Sequence, residues 1–483
     1  MAAKSASPAA LQILEELGVA DLPRDWDIVR VESLLCDDCG IAVGVMYPGD
    51  YDTAGIPLIR AGDLSGSRIN PKPEFRITTD KHHEYRRTEL AGGELLISLV
   101  GDVGRCALVP PQMAGWNVAR AIAVLRFSSP PDAAFVRACL MSSPLQHLMR
   151  AWSTTTVQAT LNLKEIRQIP LPWPPKNQRD AIAHILGTLN DKIELNRHMN
   201  ETLEAMARAL FKSWFEDFLP VRANMEARNR KARTQTGDPV RAKAEGRDHG
   251  LPKPLADLFP DAFEDSELGE IPKGWDVCTI GDLSKLNPES WSRETRPAVI
   301  EYVDLSNTKW GRIEAVTRFD ADDAPSRAQR VLRPRDTIVG TVRPGNGSYA
   351  LILVDGLTGS TGFAVLRPRS DKYAEFVYLA ATMADNIETL AHLADGGAYP
   401  AVRPEAVAAT KIARPKDNVF VAFSHAAGSM LLKIADNEGE SCTLAALRDA
   451  LLPKLISGEL RMKDAERFAN ADYHLAHLRI RTD

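Results

Sequence analysis

Apolar residues recur every three to four positions through Ile182, Leu186, Leu189, Ile193, Leu203, Ala207, Leu210 and Trp214. No proline or glycine falls within 190–218. That spacing predicts one long helix over 177–218. A second stripe runs through Phe423, Ala427, Met430, Ile434, Leu444, Leu451 and Leu455. Both stripes carry the same polar interruption, at Asn196 and Asn200 in the first and Asn437 and Ser441 in the second. Heptad spacing of this kind is expected of helices packed on each other, and a buried Asn can fix their register. The alternative, Asn196 and Asn437 facing solvent on bent helices, stays open. The first helix would extend roughly 60 Å at 1.5 Å per residue, the length of a spacer.

Outside the helices, short β-like runs alternate with turns. Strands are expected at 94–101, 105–110 and 121–127, then a helix over 132–150. Strands at 336–342, 348–354 and 362–368, followed by a helix over 373–393, repeat that order. A shift of 241 places lays 177–211 over 418–452 with twelve of 35 positions identical, among them His184/His425, Gly187/Gly428, Lys192/Lys433 and Asn196/Asn437. The same shift pairs Asp63 with Asp304, and with a slip of eight residues Trp26 meets Trp275. Each copy therefore has a Pro-x-x-Trp entry, a mixed β-rich domain and a long helix, an internal duplication of an α+β unit.

The expected boundaries are an N-terminal extension over 1–24, a first globular domain over 25–173 and a first helix over 174–218. A charged connector over 219–270 leads to a second globular domain over 271–415, a second helix over 416–463 and a tail over 464–483. The connector is read as a solvated return, with nonspecific DNA contact as the alternative.

With 483 residues, 44% hydrophobic and 25% charged, the profile is that of a multidomain globular protein. No eighteen-residue apolar run occurs and the N-terminus lacks the apolar core of a secretory signal, so no membrane and a cytoplasmic location are expected. Six cysteines are spread along the chain and point to reduced thiols. Cys36 and Cys39 form the one close pair; two loop cysteines are favoured over a zinc site completed by His82 and His83, and no metal is expected.

A net charge of −5 does not advertise nucleic acid, although basic residues cluster locally. The first domain carries Arg68, Lys72, Arg76, Lys81, Arg86 and Arg87 among Phe75, His82, His83 and Tyr85. The second carries Lys309, Arg312, Arg318, Arg327, Arg330, Arg333 and Arg335 with Trp310 and Phe319. Such loops suit phosphate contact and base readout, or are solvated faces. Gly101–Arg105 and Arg343–Gly347 hold equivalent hairpin positions, so Arg105, Arg343 and Asn346 join the DNA-contact candidates; tight turns explain their glycines equally well. Thr154 and Thr155, with Thr156 and Gln158, form a polar loop that reaches bases or enters a helix.

Enzyme signatures are missing. No lysine follows an acidic residue by two places, no Gly-Lys dipeptide opens a phosphate loop, and Ser129-Pro-Pro-Asp132 lacks the aromatic that stacks on a flipped base. No catalytic residue and no cofactor are expected.

The stretch IPLPWPPKNQRDAIAHILGTLNDKIELNRHMNETLEAMARALFKSWFEDF over 169–218 resembles the central conserved region of Type I restriction-modification specificity subunits. LRDALLPKLISGEL over 447–460 resembles their C-terminal conserved region, and FPDAFEDSELGEIPKGW over 259–275 their second-domain entry. The resemblance implies two target-recognition domains, each reading half of a split asymmetric site in double-stranded DNA, held apart by an antiparallel coiled coil. It implies docking of two adenine-N6 methyltransferase subunits and, through them, restriction/translocase subunits, with no catalysis by this chain. The family's Pro-Pro-x-x-Glu-Gln helix entry is replaced here by Asn177-Gln178 and by Asn418-Val419, where Asn177 is expected to cap its helix. Three rivals remain: a lone nuclease or methyltransferase, a coiled-coil scaffold that reads no DNA, and the specificity subunit of another modification or phage-defence system.

Overall fold

A computed structural model describes residues 22–37, 40–65, 68–155, 159–235, 251–292, 294–394 and 400–460. The chain divides into two compact units, residues 1–195 with 440–483, and residues 196–439.

In the first unit a four-stranded antiparallel sheet runs Ile41–Val43, Ile122–Leu125, Leu95–Ser98, Cys106–Leu108. All four residues of both central strands are buried. The period-two alternation of a strand explains this. Leu95, Ile97, Ala123 and Leu125 point into one core with the helix Asp132–Leu140. Leu96, Ile122 and Val124 point into a second core behind the sheet.

The second unit repeats the arrangement. Its four-stranded sheet runs Ser284–Leu286, Phe363–Pro368, Thr337–Gly340, Tyr349–Leu351. Val339, Ala364 and Leu366 face one core, and Ile338, Phe363 and Val365 the other. Each unit is closed by an antiparallel pair joining its entry to its exit. Asp27–Arg30 pairs with Pro170–Trp173, and Asp276–Thr279 with Lys411–Arg414. A second small sheet in each unit has a parallel pair at its heart, Ile56–Ile59 with Asn117–Val118 and Val299–Val303 with Leu357–Ser360.

Two helices of 40 residues, Lys176–Phe215 and Asp417–Ile456, pass between the units at 195/196 and 439/440. In the first unit Ile182, Leu186 and Leu189 pack with Leu444, Leu451, Leu455 and Ile456, with Ile193 at the margin. In the second, Ala207, Phe211 and Trp214 pack with Phe423 and Ala427, while Leu210, Met430 and Ile434 lie at the edge of the core. Leu431 rather than Met430 takes the fully buried place, and Leu203 is half-buried. The second long helix is apolar enough by length and composition to cross a membrane, with 33% of that window buried in the fold.

The asparagines are buried, which decides between the two readings left open. Asn437 donates its amide to the Asn200 side-chain oxygen at 2.8 Å, and the Asn196 amide reaches the Asn437 carbonyl at 3.4 Å. Asn196 and Asn437, matched in the repeat, thus meet each other. Replacing Asn437 with alanine leaves Asn200 without this donor, and a loss of about 1–3 kcal/mol in urea unfolding is expected. An unchanged midpoint would count against a structural role for the pair.

Several expectations are corrected. The helices foreseen over 132–150 and 373–393 are each broken in two, at Met141–Ser142 and at Met383, which adopts an extended ψ of 147°. Asn177 does not cap its helix: the Pro175 carbonyl receives the Gln178 and Arg179 N–H groups, so the helix opens at Lys176. Gln178 instead accepts the Trp26 indole N–H at 2.9 Å. The connector over 219–270 is helical at Leu219–Gln235 and Lys253–Ala256, then forms the hairpin Phe263–Ser266/Gly269–Pro272. Buried Val221 and the Asn224 amide, which donates to the Ala256 and Phe259 carbonyls, tie that helix into the second unit. Residues 236–250, like most of the two terminal segments 1–24 and 464–483, lie outside the described residues.

Candidate nucleic-acid interface

The basic residues sort by what already holds them. In the first unit Arg68 closes on Glu194 of the first long helix. Arg76 donates to the Gly55 carbonyl at 2.9 Å, and Arg105 binds Asp102 and the Leu64 carbonyl. These three guanidinium groups each make a contact inside the fold. Lys81 pairs with Glu84 at 2.7 Å, an exposed contact worth little.

Arg86 and Arg87 behave differently. They stand exposed on the 3-10 turn Arg86–Thr88, and among the described residues neither side chain has a hydrogen-bond or ion-pair partner. Their backbone is held from beneath by Arg126, which donates to the Arg87 and Glu89 carbonyls at 2.8 and 2.7 Å. Buried Thr88 bonds Asn117 at 2.7 Å. Two free cations therefore sit on a fixed turn. Lys72 is also exposed. Thr154 and Thr155 lie on a two-residue strand paired with Ala159–Thr160, while Thr156 and Gln158 fall outside the described residues.

In the second unit Arg312 faces Glu201 of the first long helix at 3.9 Å, as Arg68 faces Glu194 in the first. Arg330 turns inward to Ser290, and burial lowers its pKa. Arg312 and Arg330 thus also have contacts inside the fold. Arg327 is exposed, with Asp304 at 3.7 Å, and Lys309 is exposed 4.0 Å from Glu314. Arg343 and Asn346 are exposed on the hairpin at Pro344–Asn346, where Arg343 adopts a left-handed φ of 48°. Trp310, 57% exposed with φ 49°, lies over Gly347 of that hairpin; a Cβ there would strike its ring. A bulky residue at positive φ is a strained choice that the surrounding structure must enforce.

Sequence reasoning passed over one exposed aromatic loop in the first unit. Tyr47 is 73% and Tyr51 53% exposed, and Tyr51 packs edge-on to Phe75, which carries Arg60 at 4.0 Å over its ring. Exposed Arg120 joins this loop through a backbone bond to Val45. The two tyrosines flanking Pro48-Gly49 were the available signal. Of the cysteine pair, Cys36 is half-buried and Cys39 lies outside the described residues. His82 is buried against Asn117 and Glu89. Among the described residues no three metal-ligating side chains converge.

Residues 45–205 match the family model of the Type I restriction modification DNA specificity domain. The HindI specificity subunit of Haemophilus influenzae is 25% identical over 62% of this chain and 71% of its own length. The MjaIX specificity subunit of Methanocaldococcus jannaschii is 21% identical over 93% of this chain and 97% of its own. The crystal structure of a Type I restriction-modification S subunit from M. genitalium shares the α+β fold, with a TM-score of 0.51 at 14% identity over 90% of this chain and 96% of that one. Residues 45–205 thus match a Type I restriction modification DNA specificity domain, and specificity subunits of Type I restriction enzymes are similar to the chain along most of its length.

Proposed function

We propose that this chain is the non-catalytic DNA-reading subunit of its complex. Each unit serves as a target-recognition domain for one half of a bipartite, asymmetric site in double-stranded DNA. The two long helices act as an antiparallel coiled coil that sets the gap between half-sites. They dock two adenine-N6 methyltransferase subunits and, through them, restriction/translocase subunits. The observation that carries this reading is the recurrence of one strand order and one entry–exit pairing in both units. A duplicated reader joined to paired helices suits a split site, since one turn of B-DNA is about 34 Å. The proposed DNA contacts are Arg68, Lys72, Arg76, Lys81, Arg86, Arg87, Arg105, Thr154, Thr155, Lys309, Arg312, Arg327, Arg330, Arg343 and Asn346, with the exposed Tyr47, Tyr51 and Trp310 added as stacking partners.

Long-read methylation mapping of cells carrying this gene with its neighbouring methyltransferase gene, against cells lacking it, tests the reading. A split adenine-methylated motif present only with this gene is expected. No change with both proteins expressed favours a scaffold, and a modification other than adenine methylation assigns the chain to another defence system.

A further inference from the structure

The duplication supplies an internal control for one buried site. At the shift of 241, Glu375, Ser424 and Gly428 of the second unit correspond to Ala134, Ala183 and Gly187 of the first. In the second unit the Glu375 carboxylate is buried, accepting from Arg335 at 2.6 Å and from the Ser424 hydroxyl at 2.7 Å. A Cβ at Gly428 would sit 3.1 Å from that carboxylate. In the first unit a Cβ at Gly187 would meet nothing within 4 Å, and Ala134, Ala183 and Gly187 border a cavity of about 180 Å³.

Two guanidinium groups line this cavity. Arg137, the counterpart of Tyr378, is half-buried and has no hydrogen-bond or ion-pair partner among the described residues. Burial lowers its pKa, Asp191 opposes this at longer range, and Arg448 adds repulsion. Arg448 is already engaged, by Asn190 at 3.0 Å and Asp449 at 2.7 Å. A desolvated cation without a counterion is costly, and a charge-assisted bond to a carboxylate relieves it. Asn190 and Asp449, both bound to Arg448, also line the cavity, and Leu186 and Leu452 give it an apolar stretch of wall.

We propose that the first unit binds a carboxylate on a short apolar stem in this cavity, where the second unit supplies its own Glu375. The stem lies against Leu186 and Leu452, and Arg137 receives the carboxylate. The same chemistry comes from a free small organic acid or from an acidic side chain of a partner protein, and two arms separate these sources. In the first, propionate is titrated calorimetrically into the full chain, with propionamide and chloride as controls. Saturable propionate binding is expected, weakened at least about tenfold in Arg137→Met and in Ala134→Glu, whose new carboxylate fills the site. In the second, assembly of the same variants with the methyltransferase subunits is measured, and only this arm rests on the proposed function. Thermal unfolding checks that both variants are folded. Propionate binding without an assembly defect assigns the site to a free acid. An assembly defect of about tenfold or more in both variants, without propionate binding, assigns it to a partner's side chain. Equal behaviour of all three proteins in both arms overturns the proposal.

Discussion

Reversing the charge of Arg86 and Arg87 together will weaken DNA binding by the assembled complex about 10- to 100-fold at physiological salt. Both side chains are exposed and unpartnered among the described residues. Their turn is held by the Arg126 bonds to its carbonyls and by Thr88, none of which the substitution touches. The effect should therefore appear as lost affinity with an unchanged unfolding transition. Each phosphate contact releases counterions, so the log–log salt dependence should become shallower by about 1.8 for two contacts. Binding isotherms over 50–200 mM salt, roughly, measure both quantities. A variant with wild-type affinity and salt slope would exclude this turn from the interface. In the second unit the matching experiment uses Arg327 alone, because Arg330 is turned inward and its loss confounds folding with binding.

Truncating Trp214 to alanine will destabilise the second unit by about 3–5 kcal/mol. Its ring is almost wholly buried where the first long helix meets the second, 5.7 Å from Phe423 and 5.1 Å from Phe259. Phe215 continues the cluster at 4.9 Å from both Phe376 and Phe423. Edge-on aromatic pairs contribute beyond the area they bury. The cavity left behind is walled by rings fixed on separate elements, so collapse relieves little of it. Urea unfolding followed by fluorescence should show an earlier transition. A loss below about 1 kcal/mol would mean that the cluster repacks freely.

Much of the fold is legible where the signal is local. Short continuous apolar runs such as Leu95–Ser98 and Phe363–Pro368 locate central strands, and the two stripes locate helices that pack along Leu186, Leu451 and Phe423. The break at Ser142 was signalled by Ser142-Ser143-Pro144, where the proline opens the next helix, while at Met383 the apolar pattern runs on as the backbone turns extended. The site is less legible, for a physical reason. Whether an arginine faces solvent depends on acceptors remote in sequence: Glu194 for Arg68, the Leu64 carbonyl for Arg105 and Glu201 for Arg312. Composition shows the charge, while only the fold shows which charges are already answered. The connector misled in the opposite sense, since its charged helix hides the Asn224 and Val221 contacts that hold it.

The antiparallel pairing of each unit's first and last strands has an evolutionary consequence. Asp27–Arg30 lies beside Pro170–Trp173, and Asp276–Thr279 beside Lys411–Arg414, so the chain leaves each unit next to where it entered. Everything between those strands behaves as a cassette plugged into a fixed socket. Recombination between related genes with crossovers at these two strands would exchange everything between them while leaving the paired helices untouched. One genetic step would then replace a whole globular unit and keep its entry–exit pairing.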